Sequence, residues 1–182
     1  VQNSSKDNCA NIQLNKANYS SSQEFNVTHD SDGYVTFTNI NSGKVIDLSS
    51  AKVENNRNIQ QYGSNGTKAQ KWIVVKSDTG YIIRSAINAD YVIDLNCANV
   101  AANNNIQLYR DNSTNAQKWC FTPALSKEDK LAIQNKDTLK DGTYTISTVL
   151  NTDYVLTVQN SSKDNCANIQ LNKANYSSSQ EF

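Results

Sequence analysis

Two carboxylates, two phenols and four side-chain amides stand at matching intervals in this chain. Asp47 and Asp94 are 47 residues apart, and so are Gln60 and Gln107, Tyr62 and Tyr109, and Gln70 and Gln117. A carboxylate accepts hydrogen bonds, a primary amide donates and accepts, and a phenol offers an apolar face with a polar tip. Such a set is equipped to bind. It is poorly equipped to catalyse, because every group recurs with the repeat and no singly activated acid, base or nucleophile stands out. The lone histidine lies in the polar run Thr28-His29-Asp30 and reads as a surface residue. Asp30 and Asp32 do not continue into a spaced calcium loop. Cys9, Cys97, Cys120 and Cys166 follow no CxxC or zinc spacing. The expectation is no metal, no cofactor and no enzyme activity.

Composition agrees with a binding surface for neutral ligands. The 182 residues carry 17 Lys+Arg and 17 Asp+Glu, for a formal charge of +0; 37% are hydrophobic and only 19% charged. The remaining polarity comes from Asn, Gln, Ser and Thr, which suits hydroxyl-rich partners. A zero balance gives no electrostatic pull toward nucleic acid. No apolar run approaches the roughly 20 residues of a membrane span. No leader peptide is visible at Val1, and the chain opens in the middle of a pattern, so it reads as a piece of something longer.

Two repetitions must position these residues. One is an identity: residues 1–25 recur unchanged as 158–182, an offset of 157. The other is a weaker period of 47, marked by Phe25, Trp72 and Trp119 and by Gln13, Gln60 and Gln107. The next step, from Trp119 to Phe182, is 63, or 47 plus 16, and the extra 16 residues fall at 126–141, a charged stretch that reads as a linker with at most a short turn at 126–132. A period of this size implies a solenoid, propeller or symmetric barrel, and three repeats are too few for a propeller. Within each unit, short alternating runs such as Asn58-Ile59-Gln60-Gln61-Tyr62 lie between turns such as Asn41-Ser42-Gly43, which predicts four short strands per repeat and twelve in all.

Each 47-residue unit ends in Gln-x-Trp or its Phe variant: Gln70-Lys71-Trp72, Gln117-Lys118-Trp119, and Gln180-Glu181-Phe182 with its copy Gln23-Glu24-Phe25. The two Trp-ending units carry Val-Ile-Asp-Leu (45–48, 92–95) and Asn-Ile-Gln-x-Tyr (58–62, 105–109) ahead of it. Three such units resemble the ricin B-chain-type lectin family, also called family-13 carbohydrate-binding modules. The resemblance covers nearly the whole chain outside 126–141. It implies an all-β fold, the β-trefoil, in which three ~47-residue repeats form a six-stranded barrel capped by three hairpins with pseudo-threefold symmetry. Trp72, Trp119 and Phe182 are then core residues that report the fold and not the ligand.

The same resemblance implies shallow sugar sites, up to one per repeat. A sugar needs a carboxylate for paired hydroxyls, an aromatic ring for its C–H face, and amides to close the network. The second repeat supplies Asp47, Gln60, Tyr62, Asn65 and Gln70, and the third supplies Asp94, Gln107, Tyr109, Asn112 and Gln117. Many family members place a sugar-contacting Asn just before the Gln of Gln-x-Trp; here Ala69 and Ala116 stand there, with Asn65 and Asn112 as candidate replacements. In the first repeat the acid becomes Thr157 and the aromatic Asn172 (Asn15 in the copy), so no sugar site is expected.

The domain reading is therefore 1–25 as a duplicate of the second half of the first repeat, 26–125 as the second and third repeats, 126–141 as linker, and 142–182 as the first repeat. That last segment either completes the trefoil in permuted order or starts a tandem copy. Residues 1–25 and 158–182 can fill the same strand positions, which points to displacement of one copy or to strand-exchanged oligomers. The cysteines read as free, partly buried thiols, with a Cys97–Cys120 bridge as the alternative. Asn65-Gly66-Thr67 has the form of a glycosylation acceptor, which an Asn-rich chain produces by chance. The expected function is a non-catalytic, extracellular or cell-surface module whose partner is a glycan, with no nucleic acid and no membrane span. The competing reading is a structural or protein-binding trefoil, since a fold hosts unrelated functions.

Overall fold

The computed structural model describes residues 1–138 and 142–182. The chain divides into two units, Val1–Lys127 and Glu128–Phe182. The first unit holds β1 (Phe25–His29), β2 (Val35–Asn39), β3 (Val45–Leu48), β4 (Arg57–Tyr62), β5 (Trp72–Lys76), β6 (Tyr81–Ser85), β7 (Tyr91–Leu95) and β8 (Ile106–Arg110). They run in the order β1-β2-β3-β4-β8-β7-β6-β5, and the pairing of Val35 with Trp72 links β2 to β5, closing seven strands into a ring. Every pairing is antiparallel, and β5 to β8 repeat β1 to β4. This is the β-trefoil architecture.

The alternation read from the sequence decides which side chains enter the ring. Along β2, Val35, Phe37 and Asn39 are buried while Thr36 and Thr38 are half-buried. The core gathers Phe37, Leu48, Ile59, Trp72, Ile93 and Leu108, among others. Trp72 is fully buried, and its Nε1–H donates to the Ile46 carbonyl at 3.3 Å; the Trp119 Nε1–H makes the equivalent bond to Ile93 at 3.1 Å. The core expectation is met unevenly. Trp119 is only half-buried and Phe182 is 44% exposed.

Residues 1–25 belong to the first unit and act as its remaining half-repeat. Residues 11 and 13 bridge to Gln60 and Asn105. The Ile12 N–H donates to the Ile59 carbonyl and the Ile106 N–H to the Ile12 carbonyl, both at 3.2 Å. Gln61 is buried at a position where the other repeats have Leu14 and Leu108; its amide donates to the Ser5 and Asp7 carbonyls at 3.0 and 2.8 Å.

The second unit is a three-stranded sheet of β9 (Ser147–Thr148), β10 (Asn151–Val158) and β11 (Ile169–Lys173) in the order β11-β10-β9. The described residues thus carry eleven strands where the repeat pattern predicts twelve. Trp119 begins no strand of its own and makes a single bridge, to Tyr81. The stretch read as a linker contains a helix, α1 (Lys127–Thr138), longer than the short turn expected at 126–132. Glu128 and Asp129 in its first turn complement the positive end of the helix dipole. Hydrophobic periodicity could not reveal it, because Leu131 and Ile133 remain solvent-exposed.

Gly80 shows how tightly the repeats meet. Tyr81 and Trp119 exchange backbone hydrogen bonds of 2.9 and 2.8 Å, and a Cβ on Gly80 would lie 2.7 Å from the Trp119 carbonyl oxygen. Backbone cannot swing aside as a flexible side chain would. Gly80→Ala is expected to cost about 1–3 kcal/mol, the usual range for overpacking, read as a lower urea midpoint at unchanged m-value.

Candidate functional site

The Asp of each Val-Ile-Asp-Leu strand faces a Gln across the sheet. Asp47 pairs with Gln60 and Asp94 with Gln107 in the antiparallel registers of β3–β4 and β7–β8. Period-2 geometry puts both side chains on one face, and both amides reach the carboxylate: Gln60 Nε2 to Asp47 Oδ1 at 2.9 Å, Gln107 Nε2 to Asp94 Oδ1 at 3.0 Å. Asp47 and Asp94 are each only 5% exposed.

The two repeats then diverge. Gln70 Nε2 donates to Asp47 Oδ2 at 3.1 Å and to the Gly63 carbonyl at 3.0 Å, so both Asp47 oxygens are engaged. Gln117 Nε2 donates only to the Arg110 carbonyl, the equivalent of Gly63, at 3.0 Å, and among the described residues no side-chain amide hydrogen-bonds Asp94 Oδ2. In two respects Gln70 and Gln117 still act alike, the first being the bond each makes to the carbonyl seven residues before it, Gly63 or Arg110. Their amide oxygens accept the Asn65 and Asn112 backbone N–H groups at 2.8 and 2.9 Å. Both are buried beneath the surface loops they brace.

In the third repeat a cavity of about 360 Å³ opens beside Asp94. Asp94, Gln107, Tyr109 and Asn112 line it, and Ala116 contributes at the position where an Asn is common in the resembling family. Its size is at the low end for small-ligand sites. Tyr109 and Tyr62 are half-buried, and Asn65 and Asn112 are exposed. The first-repeat copy has its own cavity of about 450 Å³, lined in part by Asn3, Gln13, Asn15 and Asn18, with no carboxylate side chain in its lining. In the second unit Gln180 Nε2 donates to Thr157 Oγ1 at 3.1 Å, a hydroxyl doing what a carboxylate oxygen does for Gln70.

Several lining residues are not apparent from repeat spacing. Asn56, Asn96, Cys97 and Thr114 also border the third-repeat cavity. Asn56 comes from the preceding repeat, so spacing within one repeat could not find it. Thr114 had a signal. Its N–H and Oγ1 both bond Asn112 Oδ1, at 3.2 and 2.8 Å, and Thr67 treats Asn65 in the same way. The Asn-x-Thr spacing therefore builds an Asx turn around a left-handed residue, Gly66 (φ 71°) in one case and Ser113 (φ 60°) in the other.

The cysteines are free thiols, as expected, but exposed and not partly buried. All four are free and exposed, and Cys97 and Cys120 are not bridged. Cys9, Cys97 and Cys166 occupy left-handed turn positions (φ 64°, 53° and 66°), outside the strands whose alternation would bury a side chain. No group of three His, Cys, Asp or Glu side chains arranged to hold a metal occurs among the described residues, and no described helix is long and apolar enough to cross a membrane.

One ion pair shapes the loop beside the cavity. Arg84 Nη2 donates to Asp111 Oδ2 at 2.6 Å, and the Ser113 N–H donates to Oδ1 at 3.0 Å. Burial pushes the Asp111 carboxyl up, but the Ser113 N–H and the Arg84 guanidinium together hold it below the ordinary carboxylate value. A depressed folded value contributes stability above the unfolded carboxylate value of about 3.9, and that contribution is lost as pH falls through the folded value. Arg84→Ala is expected to narrow its melting-temperature gap from the parent protein as pH drops from 7 to below 4. A gap that stays constant over that range would remove the pair from the acid response.

The model of the ricin-type β-trefoil lectin domain-like family matches residues 1–62, 21–109 and 68–172, overlapping segments that span most of the chain. The chain belongs to this family. At family level it is a non-catalytic, carbohydrate-binding, lectin-like trefoil module. No curated protein sequence is significantly similar to it. Among solved structures, the designed three-fold symmetric protein ThreeFoil superposes with TM-score 0.65 at 23% identity, covering 68% of this chain and 88% of that one. A mosquitocidal holotoxin superposes with TM-score 0.63 at 19% identity; it covers 97% of this lectin-like chain, which in turn spans 20% of the toxin. The Rhizoctonia solani agglutinin gives TM-score 0.57 at 26% identity, covering 62% of this chain and 77% of the agglutinin. The first two likenesses are of fold alone.

Proposed function

We propose that the module binds a glycan at the third-repeat cavity. The observation that carries this reading is the convergence of Asp94, Gln107, Tyr109 and Asn112 on one opening. Asp94 accepts from vicinal hydroxyls, Tyr109 receives the C–H face, and Gln107 and Asn112 complete the network, with Gln117 bracing the loop from below. The second repeat offers the same set, Asp47, Gln60, Tyr62, Asn65 and Gln70, with its carboxylate more fully occupied by the protein's own amides. The first repeat lacks both the acid and the aromatic and serves as scaffold.

A secreted or cell-surface setting fits this reading, as do the toxin and agglutinin among the similar structures. The duplicated 25 residues add a partner of a second kind: another copy of the chain, exchanging 158–182 for 1–25. The test of the glycan reading is a broad glycan array probed with the parent protein and with a folded Asp47→Ala/Asp94→Ala variant. Binding by the parent and not by the variant is expected. Binding by both moves the site elsewhere on the lectin. Binding by neither, at concentrations that detect millimolar affinity, favours a structural or protein-binding trefoil.

A further inference from the structure

The Asn-x-Thr turns of the second and third repeats share their bonds but differ at the residue in the middle. Asn65 and Asn112 are exposed, and the Oδ1 of each accepts the N–H and Oγ1–H of the Thr two residues on. The middle residue is left-handed in both, Gly66 at φ 71° and Ser113 at φ 60°. Its backbone nitrogen is treated differently in the two repeats. The Ser113 N–H donates to Asp111 Oδ1 at 3.0 Å. The equivalent of Asp111 in the second repeat is Ser64, and the Gly66 N–H has no hydrogen-bond partner among the described residues. Asn65-Gly66 is also the one Asn-Gly pair in the sequence.

A backbone nitrogen that follows Asn can attack the side-chain carbonyl carbon when it is sterically open and not held by an acceptor. Gly66 has no Cβ to block the approach, and its N–H is uncommitted. The Thr67 N–H and Oγ1–H, at 3.1 and 2.7 Å, already sit on the oxygen where negative charge develops during the attack. We infer that Asn65 is a site of spontaneous deamidation and that Asn112, in the same turn, is protected. The Gly66 nitrogen bonds to Asn65 Cγ and loses its proton to water, the Cγ–Nδ2 bond breaks, and ammonia leaves. Water then opens the succinimide at either carbonyl, leaving aspartate or isoaspartate at position 65. At Asn112 the Ser113 Cβ hinders the approach and Asp111 holds the nitrogen's proton. The change at 65 reaches the second-repeat carboxylate. The Asn65 N–H donates to Gln70 Oε1 at 2.8 Å, and Gln70 Nε2 donates to Asp47 Oδ2 at 3.1 Å. Isoaspartate adds a carbon to the main chain and takes the side-chain carbonyl out of the turn, so the loop that Gln70 braces loses its register. The third repeat keeps its network, and the two candidate sites age differently. The chemistry needs no ligand; only its effect on binding rests on the glycan reading.

The test uses the full chain, held folded in mildly alkaline buffer and sampled over time by peptide mass mapping, with isoaspartate read by enzymatic methylation. Conversion at Asn65 is expected to be at least ~10-fold faster than at Asn112. The ratio is expected to be larger in the folded chain than in the same chain unfolded in urea, where only the Cβ difference remains. Gly66→Ser is expected to slow Asn65 toward the Asn112 rate. Asp111→Ser/Ser113→Gly, shown by its melt to be folded, is expected to raise Asn112 toward the Asn65 rate. Equal rates at the two residues in the folded parent would overturn the inference. A folded ratio no larger than the ratio in urea would overturn the part given to the free Gly66 N–H. An isoaspartate-containing chain that melts with the fresh protein would overturn the link through Gln70. Conversion is measured without ligand, so a module that binds no glycan fails the functional reading and leaves these rates standing.

Discussion

Trp72→Ala is expected to destabilise the first unit by about 3–5 kcal/mol, the range for removing a buried Trp from a core. That is a large part of the roughly 5–15 kcal/mol by which a domain of ordinary stability holds together. Three losses coincide at this position. The indole is 0% exposed and touches the centre of the barrel, so its removal leaves a cavity that the closed strand ring cannot collapse to fill. The Ile46 carbonyl loses its 3.3 Å donor. Trp72 is also the residue through which β5 pairs with Val35, closing the ring. Trp119→Ala is expected to cost less, about 1–3 kcal/mol, because Trp119 is half-buried beside the open cavity and part of its surface already lacks neighbours. Urea unfolding followed by far-ultraviolet circular dichroism separates the two. Equal costs for both substitutions would refute the idea that the trefoil is better completed around Trp72.

The contrast between the two Trp residues marks how far the sequence could be read. Repeat spacing located most of the strands, the equivalent Asp and Gln positions and the buried Trp72, because those features depend on which residues lie on the same face and alternation reports that directly. It could not report that the two copies of one segment have different surroundings. Ile12 and Ile169 are the same residue in the same local sequence, one 9% and the other 47% exposed. Burial belongs to the neighbours, and local pattern is silent on which neighbours are present. The same limit explains Gln61. A buried amide in place of Leu looks like a fault in the repeat until its bonds to the Ser5 and Asp7 carbonyls show that it anchors the amino-terminal segment. At the candidate site Asp94, Gln107, Tyr109 and Asn112 were legible, whereas Asn96, Cys97 and Thr114 of the same repeat, and Asn56 of the repeat before, were not.

Asp94→Ala is expected to weaken glycan binding at least tenfold, while Asp47→Ala is expected to act chiefly on stability. A hydrogen bond to a charged group is worth about 1.5–3 kcal/mol, and about 1.4 kcal/mol is tenfold in affinity, so one lost carboxylate is enough if the ligand relied on it. Asp94 borders the cavity and its Oδ1 receives Gln107. Asp47 receives both Gln60 and Gln70, and its removal strands the Gln60 amide in a buried setting while Gln70 keeps the Gly63 carbonyl and the Asn65 N–H. An orphaned buried donor costs about 1–3 kcal/mol. Asp94→Ala strands Gln107 in the same way but breaks one fewer bond, so its loss of stability is expected to be smaller by about 1 kcal/mol. Calorimetric titration with the best array ligand, paired with thermal melts of the same samples, reads both effects. The assignment fails if Asp94→Ala, shown to be folded, binds as the parent does. It also fails if Asp47→Ala takes the whole loss of affinity, because the working site would then lie in the second repeat, where the carboxylate must give up one of its own amides before it can accept a hydroxyl.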